Sequence, residues 1–298
     1  MQTNPESVSL LTLRDGRRLA YLAVGDQAGA PVFHFHGHGS SRFEALALVD
    51  AATKARVRLI AIDRPGIGRS DPKVGDRLLD WPRDVAEAAD QLGIERFAVQ
   101  GMSAGGPYAL ACAFALSNRV TACSLVSAVP PPGIALLSGP VSRRLAWLAA
   151  RTFPNYLRRR LQQFRPDDMN EAMIRARLAR MGRWLGGEDL RLMQDDAKLD
   201  LLTRTMLESG RQNQEGNRSE IARLTRPWGF DIRKIDVPIF LFHGDQDQIM
   251  HVGPVRTMAR TLKRCAATFH PGEGHFSVLV NRAEDLIGAL ATASQSPA

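Results

Sequence analysis

A serine flanked by glycines is the residue of this sequence with the clearest capacity for chemistry. Residues 101–105 read Gly-Met-Ser-Ala-Gly, with Ser103 at the centre. Residues 97–100 before them are typical of an apolar strand, and the Ala-rich residues 107–116 after them are typical of a buried helix. A serine between a strand and a helix takes a strained backbone conformation, and the glycines remove β-carbons that would clash. The pattern predicts that the turn lifts the Ser103 hydroxyl clear of the sheet edge, beside the first helix amides.

A serine hydroxyl attacks only when a base takes its proton, and the base needs a carboxylate to orient it. Residues 244–247, Gly-Asp-Gln-Asp, and residues 271–276, Pro-Gly-Glu-Gly-His-Phe, each follow directly after a strand-like run. The order is therefore serine, acid, histidine, on loops that reach one edge of a parallel sheet. We predict His275 as the base. Asp245 and Asp247 are both candidates for the acid, and Asp247 is the favoured one.

Two backbone amides are needed to stabilise the negative oxygen that such an attack creates. The amide of Ala104 is one by its position after the serine. The turn that reads His-Gly-His-Gly at residues 36–39 is the natural source of the second, through the amide of His38. The alternative for this segment is a simple tight turn. Three imidazoles alternate at His34, His36 and His38, but glycines bend the chain there and no matching acid–histidine set follows, so we predict no metal.

Strand-like and helix-like stretches alternate over most of the chain. The strand-like stretches are residues 8–13, 19–24, 32–36, 57–62, 97–100, 120–127, 239–243 and 266–269. The helix-like ones are residues 43–55, 81–92, 107–116, 255–262 and a last stretch from about 281–283 to 291. Such alternation predicts an α/β fold, in which a mostly parallel sheet carries helices on both faces.

The alternation stops in the middle of the chain. No strand is predicted between about residues 138 and 225, where the helix-like stretches are residues 141–151, 169–184 and 190–207. We interpret residues 133–230 as an all-helical cap or lid, inserted between the two parts of one core, residues 1–132 and 231–298.

Charge and composition limit the classes of partner. The 298 residues are 44% hydrophobic and 23% charged, as in ordinary globular proteins, and the net charge is +8. Residues 133–230 alone hold 18 basic and 11 acidic residues, in alternation with apolar residues at helical spacing. This excess indicates solvated helix faces, and we predict no nucleic-acid partner.

Cellular location is predicted from three observations. The three cysteines Cys112, Cys123 and Cys265 cannot all pair within the chain, so we expect buried free thiols. No apolar run approaches the ~20 residues that span a bilayer, and the first ten residues lack the pattern of a signal peptide. We therefore expect a cytoplasmic protein without stable membrane insertion.

Five segments together make the sequence resemble the serine α/β-hydrolases. They are His-Gly-His-Gly-Ser at 36–40, Asp-Arg-Pro-Gly-Ile-Gly-Arg-Ser-Asp at 63–71, Gly-Met-Ser-Ala-Gly-Gly at 101–106, and the segments 244–247 and 271–276 quoted above. The resemblance implies an eight-stranded α/β-hydrolase sheet with an antiparallel second strand and a helical cap after the sixth strand.

The same resemblance implies the roles of the site residues. Ser103 becomes the nucleophile, Asp247 the triad acid and His275 the base, with an oxyanion hole formed by the amides of His38 and Ala104. A serine rather than an aspartate at position 103 argues against the haloalkane dehalogenase and epoxide hydrolase branches.

The expected activity is cofactor-free hydrolysis of a small to medium ester or lactone through an acyl-enzyme. Three alternatives stay open: carbon–carbon bond hydrolysis, peracid formation on the same triad, and a ligand-binding or signalling module of the same fold. We expect a monomer or homodimer whose small-molecule substrate lies between core and cap. Candidates for the pocket walls, each with ordinary core packing as the alternative, are Met102, Trp147, Met181, Trp184, Met250 and Phe276.

Overall fold

A twisted sheet of eight strands positions the loops on which the candidate residues lie. The computed structural model describes residues 8–75, 77–138, 141, 145, 170–212 and 215–295. The strands are β1 (Ser9–Thr12), β2 (Arg18–Gly25), β3 (Ala30–Phe35), β4 (Val57–Ile62), β5 (Phe97–Met102), β6 (Val120–Val126), β7 (Ile239–Gly244) and β8 (Cys265–His270). Across the sheet their order is β1-β2-β4-β3-β5-β6-β7-β8.

Strands β3 to β8 pair in parallel with their neighbours, whereas β2 runs antiparallel to both β1 and β4. This confirms the predicted eight-stranded, mostly parallel sheet with an antiparallel second strand. The chain leaves β3 for β4 on one side, while β5 lies on the other side of β3. Where the connections from neighbouring parallel strands run to opposite sides of a sheet, a crevice opens at the carboxyl ends of those strands. Binding and active sites of α/β proteins commonly lie in such a crevice.

Helices cover both faces of the sheet. In chain order they are α1 (Val49–Lys54), α2 (Trp81–Gln91), α3 (Gly105–Ala115), α4 (Pro132–Ser138), α5 (Glu171–Leu185), α6 (Gly187–Gln194), α7 (Asp196–Ser209), α8 (Glu215–Thr225), α9 (Val252–Thr261), α10 (Ser277–Asn281) and α11 (Ala283–Gln295). Three short 3-10 helices, Arg42–Leu48, Leu78–Asp80 and Ile232–Lys234, complete the described elements.

The two faces of the sheet bury two separate apolar clusters. Alternate residues of one strand belong to different clusters: Phe33 and Phe35 contact the cluster of α2, α3 and α9, whereas Val32 contacts that of α1 and α11. This period of two follows from the pleat of a strand. All six residues of β5 are buried, as expected for a strand covered on both faces.

Within the described residues, the chain between β6 and β7 contains helices and no strand. Helices α5, α6 and α7 enclose a small apolar cluster of their own, which Phe276 and Ile249 from the core also contact. The predicted helix at 169–184 corresponds to α5. The predicted helix at 190–207 is two helices, because Asp195 is extended and its side chain caps α7 by accepting a bond from the Lys198 amide.

Four further expectations have different outcomes. Most of the predicted helix at 141–151 lies outside the described residues, and the boundaries 1–132, 133–230 and 231–298 stay a prediction. The three cysteines are free, as expected, and Cys112 and Cys123 are buried, whereas Cys265 is only half-buried. Burial raises the thiol pKa of Cys112 and of Cys123, and it raises the pKa of Cys265 to about 11. No helix in the described part of the chain combines the length and apolarity that crossing a membrane requires.

Candidate active site

Ser103 occupies a tight turn between β5 and α3. Its φ of +50° lies in the left-handed region, a conformation that costs about 1–3 kcal/mol for a residue other than glycine. Its backbone is held by three hydrogen bonds, to the carbonyl of Val126 and from the amides of Gly106 and Val129. A β-carbon on Gly101 would lie 2.3 Å from the carbonyl oxygen of Gly105. The glycine spacing seen in the sequence is therefore a steric requirement of this turn.

The structure brings Ser103, His275 and Asp247 into one hydrogen-bonded chain. The Ser103 Oγ lies 3.1 Å from His275 Nε2, and His275 Nδ1 lies 2.8 Å from Asp247 Oδ2. All three side chains are buried. The other oxygen of Asp247 accepts the amides of Ile249 at 2.8 Å and Met250 at 2.7 Å, which fixes the carboxylate in its loop.

Burial and charge oppose each other at this chain. Burial alone would raise the pKa of Asp247, but the His275 imidazole and backbone hydrogen bonds bring the pKa below its usual value. Burial alone would lower the pKa of His275, but the carboxylates of Asp247, Asp189 and Glu44 raise it above its usual value. The imidazole is thus placed to accept a proton from the serine and to be stabilised as a cation.

Asp245, the alternative acid, faces a different partner. Its Oδ1 accepts the amide of Gly272 at 2.9 Å and thereby ties the loop after β7 to the loop after β8. Of the two aspartates that the sequence left open, Asp247 is the one bonded to His275.

The candidate oxyanion donors lie on the turns after β3 and β5. The amide of Gly37 donates to Glu44, and the amide of Gly39 donates to Asn217 at 3.3 Å. Within the described part of the chain, the amides of His38 and Ala104 meet no protein acceptor. A developing oxyanion needs two such donors, so these two amides stay the candidates for the oxyanion hole.

The three alternating histidines each have different partners. His34 bonds Gln100 at 2.9 Å and Glu44 at 3.0 Å, and His36 Nδ1 donates to the Gly37 carbonyl at 2.8 Å. His38 Nδ1 bonds Glu220 at 2.9 Å. No three His, Cys, Asp or Glu side chains form a metal-binding group among the residues that the structure describes.

The sequence did not predict that four side chains of the helical insertion lie at this edge of the sheet. Asp189 of α6 binds the backbone at His275, and Glu220 of α8 binds His38. Thr205 of α7 accepts the amide of Ser41 at 3.0 Å, and Glu208 of the same helix accepts from buried Arg42 at 2.7 Å. Nothing in the sequence around these residues separates them from ordinary solvated helix positions, so no local signal was there to find them.

Glu220 links the insertion to the turn that carries the candidate oxyanion amide. Its Oε1 accepts from the buried Arg64 guanidinium at 2.7 Å, and its Oε2 faces His38. Burial alone would raise the pKa of Glu220, but Arg64 and His38 hold it well below its usual value. The carboxylate is fully buried, so its charge is balanced inside the protein.

We expect Glu220→Gln to lower the free energy of unfolding by about 3 kcal/mol, because breaking a buried ion pair leaves the Arg64 charge uncompensated. Urea unfolding at pH 7 measures the change. Glu171→Gln is the matched control, since it removes an exposed ion pair with Arg175 and is expected to cost less than about 1 kcal/mol. Equal losses in the two variants would contradict the prediction.

The candidates for pocket walls lie in different surroundings. Phe276 is half-buried and packs edge-on against His275, with ring centroids 5.0 Å apart. Met102 is buried in the cluster of α1 and α11, Met181 packs against the cluster of the insertion, and Met250 packs against the cluster of α2, α3 and α9. Trp184 is 62% exposed, and Trp147 lies outside the described residues.

Comparisons with known proteins agree with this architecture. The family model described as "Alpha/beta hydrolase family" matches residues 32–289. An uncharacterized hydrolase, YcgS, from Bacillus subtilis (strain 168) is 33% identical over 115 residues, which is 39% of each chain, so the match spans about two fifths of that relative. A non-heme haloperoxidase from Rhodococcus erythropolis is 26% identical over 280 residues, 91% of this chain and 94% of that protein.

Among solved structures, a hydrolase from Pseudomonas aeruginosa PA01 superimposes with a TM-score of 0.72. The superposition covers 98% of this chain and 100% of that one, at 19% identity, and it shows a shared fold. The family match extends from β3 into the last helix and includes the turns that carry Ser103, Asp247 and His275. The chain belongs to the alpha/beta hydrolase family.

Proposed function

We propose that this protein hydrolyses a small to medium carboxylic ester or lactone through an acyl-enzyme on Ser103. The observation that carries the proposal is the hydrogen-bonded chain from Ser103 through His275 to Asp247, with distances of 3.1 and 2.8 Å. A hydroxyl so bonded to a buried imidazole, which is itself bonded to a carboxylate, has the geometry of an activated serine nucleophile.

In the first half of the reaction, His275 Nε2 takes the proton of Ser103 as the oxygen attacks the carbonyl carbon. The amides of His38 and Ala104 stabilise the resulting oxyanion. The imidazolium, which Asp247 stabilises, returns the proton to the leaving alcohol as the carbon–oxygen bond breaks. In the second half, His275 takes a proton from a water molecule that attacks the acyl carbon. The bond from that carbon to Ser103 Oγ then breaks, the imidazolium returns the proton to Ser103, and the carboxylic acid leaves.

A panel of p-nitrophenyl acyl esters of several chain lengths, together with lactones, tests the proposal on purified protein. We expect multiple turnover of at least one ester and an acyl adduct, detected by mass spectrometry, on the peptide that contains Ser103. Absence of turnover for every ester and lactone, together with no adduct, would contradict it.

Two other activities use the same parts, namely hydrolysis of a carbon–carbon bond in a diketone and peracid formation. The match to a non-heme haloperoxidase over 91% of this chain is the specific observation in favour of a peroxide-using reaction. Adding a diketone arm and a hydrogen peroxide arm to the panel separates these activities from ester hydrolysis. Slow release of product after a single turnover would instead favour a ligand-binding or signalling role.

We further infer that the protein acts on a small molecule in the cytoplasm. Support comes from the three unpaired cysteines, because thiols persist in a reducing compartment. We also infer that the helical insertion acts as a cap, because side chains of α6, α7 and α8 bind the loops around Ser103 and His275.

A further inference from the structure

One carboxylate of the helical insertion binds directly to the loop that carries the imidazole. Asp189 lies on α6 and is only 2% exposed. Its Oδ2 accepts the amide of His275 at 2.7 Å. Its Oδ1 accepts the amides of Phe276 at 2.9 Å and Ser277 at 2.8 Å. Three consecutive backbone donors of the base loop therefore converge on one carboxylate from another part of the chain.

The loop is shaped to admit this carboxylate. A β-carbon on Gly274 would lie 2.3 Å from Asp189 Oδ2 and 2.4 Å from its carboxyl carbon, closer than any such contact allows. Glycine at position 274 is therefore needed for the close approach. The amide of Gly274 donates to the Ser277 hydroxyl at 2.7 Å, so the remaining polar group of this segment is also paired.

Apolar contacts hold the same two segments together. Phe276 and Val280, on either side of the start of α10, pack against the cluster that contains Leu192 and Met193 of the insertion. Leu192 and Met193 follow Asp189 on α6, so one helix supplies both the apolar contact and the carboxylate.

We propose that Asp189 is a positioning residue for His275, through which the helical insertion sets the backbone and the electrostatic surroundings of the base. The inference rests on the proposed function, since it assigns His275 the role of proton acceptor. It adds that the core loops by themselves leave the site incomplete. Docking of α6 against the base loop supplies the missing negative charge and fixes the loop.

The other charged or titratable groups near His275 are few in the described residues. Asp247 is its direct partner on the loop after β7, and Glu44 approaches from the 3-10 helix Arg42–Leu48. His243 of β7 has its Nε2 3.9 Å from Asp247, and burial lowers its pKa to about 4, so it carries no charge at neutral pH. Among these neighbours, Asp189 is the carboxylate that the insertion contributes.

Asp189→Asn tests the proposal with little change in shape. The asparagine oxygen can still accept the amides of Phe276 and Ser277, but its NH₂ group then faces the amide of His275, donor against donor. We expect the rate at which a fluorophosphonate labels Ser103 to fall about tenfold or more at pH 8, because small displacements of a catalytic group are costly.

The pH profile separates a positioning role from a purely structural one. Removing a negative charge near an imidazole lowers its pKa, so the acid limb of the labelling rate is expected to move to lower pH in Asp189→Asn. ¹⁵N NMR titration of the His275 ring measures the same pKa without any turnover. An unchanged His275 pKa, or a labelling rate that falls while the acid limb stays in place, would overturn the proposal.

The matched control is Glu188→Gln, which removes the same charge one residue away. Glu188 pairs with Arg191 on the same helix and, within the described residues, forms no hydrogen bond or ion pair with the base loop. We expect wild-type labelling rates and an unchanged His275 pKa in this variant. An equal shift of the His275 pKa in Glu188→Gln would show that the effect comes from the overall charge of the helix. It would overturn the role of Asp189.

A second variant guards against a folding defect in Asp189→Asn. Gly274→Ala keeps the charge of Asp189 but displaces its carboxylate, so it is expected to slow labelling and lower the His275 pKa in the same direction. Circular dichroism shows whether each variant is folded. If the wild-type protein is not labelled at all, the proposed function fails, while a lower His275 pKa in Asp189→Asn would still establish the contact between Asp189 and the imidazole.

Discussion

Ser103→Ala is expected to abolish covalent labelling by a fluorophosphonate and to reduce ester turnover to the background of the assay, a loss of about a million-fold. The reason is geometric, because the Ser103 hydroxyl is bonded to the His275 imidazole, which we propose as its proton acceptor. Alanine also leaves the left-handed turn as strained as before, so the variant should fold like the wild type. In-gel fluorescence and the p-nitrophenyl ester assay measure the two effects.

The structure offers a close control in Ser127. This serine also has a positive φ, of +44°, and lies at the end of the neighbouring strand β6. Its hydroxyl is buried and has no hydrogen-bond partner among the described residues, so Ser127→Ala removes no bond. We expect wild-type labelling in Ser127→Ala. Labelling that survives in Ser103→Ala, or disappears in Ser127→Ala, would contradict the assignment of Ser103 as the nucleophile.

Asp247→Asn is expected to lower kcat by about ten-thousand-fold with a much smaller effect on KM, because an asparagine supports the wrong tautomer of the base. In the native arrangement Asp247 Oδ2 accepts a bond from His275 Nδ1, which leaves Nε2 free to take the serine proton. An asparagine that turns its NH₂ group toward Nδ1 requires the proton to be on Nε2 instead. Steady-state kinetics over the substrate range separates kcat from KM.

Asp245→Asn is the control for this second prediction. Its oxygen can go on accepting the amide of Gly272, so the tie between the two loops survives the substitution. We expect kcat near the wild-type value. A large loss in Asp245→Asn with a small one in Asp247→Asn would reverse the assignment of the acid.

Side chains of the helical insertion bind the segments that carry the candidate site residues. Asp189, Thr205, Glu208 and Glu220 come from three of its helices, and each binds a loop at the carboxyl edge of the sheet. These contacts lie in the turn after β3, at the start of the 3-10 helix that follows it, and in the loop after β8. The turn carries a candidate oxyanion amide and the loop carries the candidate base. A change in how the insertion packs is therefore expected to reach the reaction chemistry directly.

Much of the core was predictable from the sequence because its signals are local. A buried parallel strand needs an apolar run, and the strained serine turn needs its glycines. Short segments such as residues 97–105 are therefore enough to predict these elements. The order of serine, acid and histidine along the chain follows from the same local signals, once the sheet is parallel and its loops share one edge. The family match and the sheet order confirm the predicted fold.

Only the tertiary structure decided which side chains meet. Asp245 and Asp247 have nearly the same sequence surroundings, and the packing of the loop after β7 alone turns Asp247 toward His275. In the sequence, Asp189 and Glu220 look like solvated helix residues. Helical periodicity indicates which residues share a face, but not the surface against which that face packs. A backbone conformation depends on its near neighbours, whereas a contact across 86 residues, such as that of Asp189 with His275, exists only once the whole chain has folded.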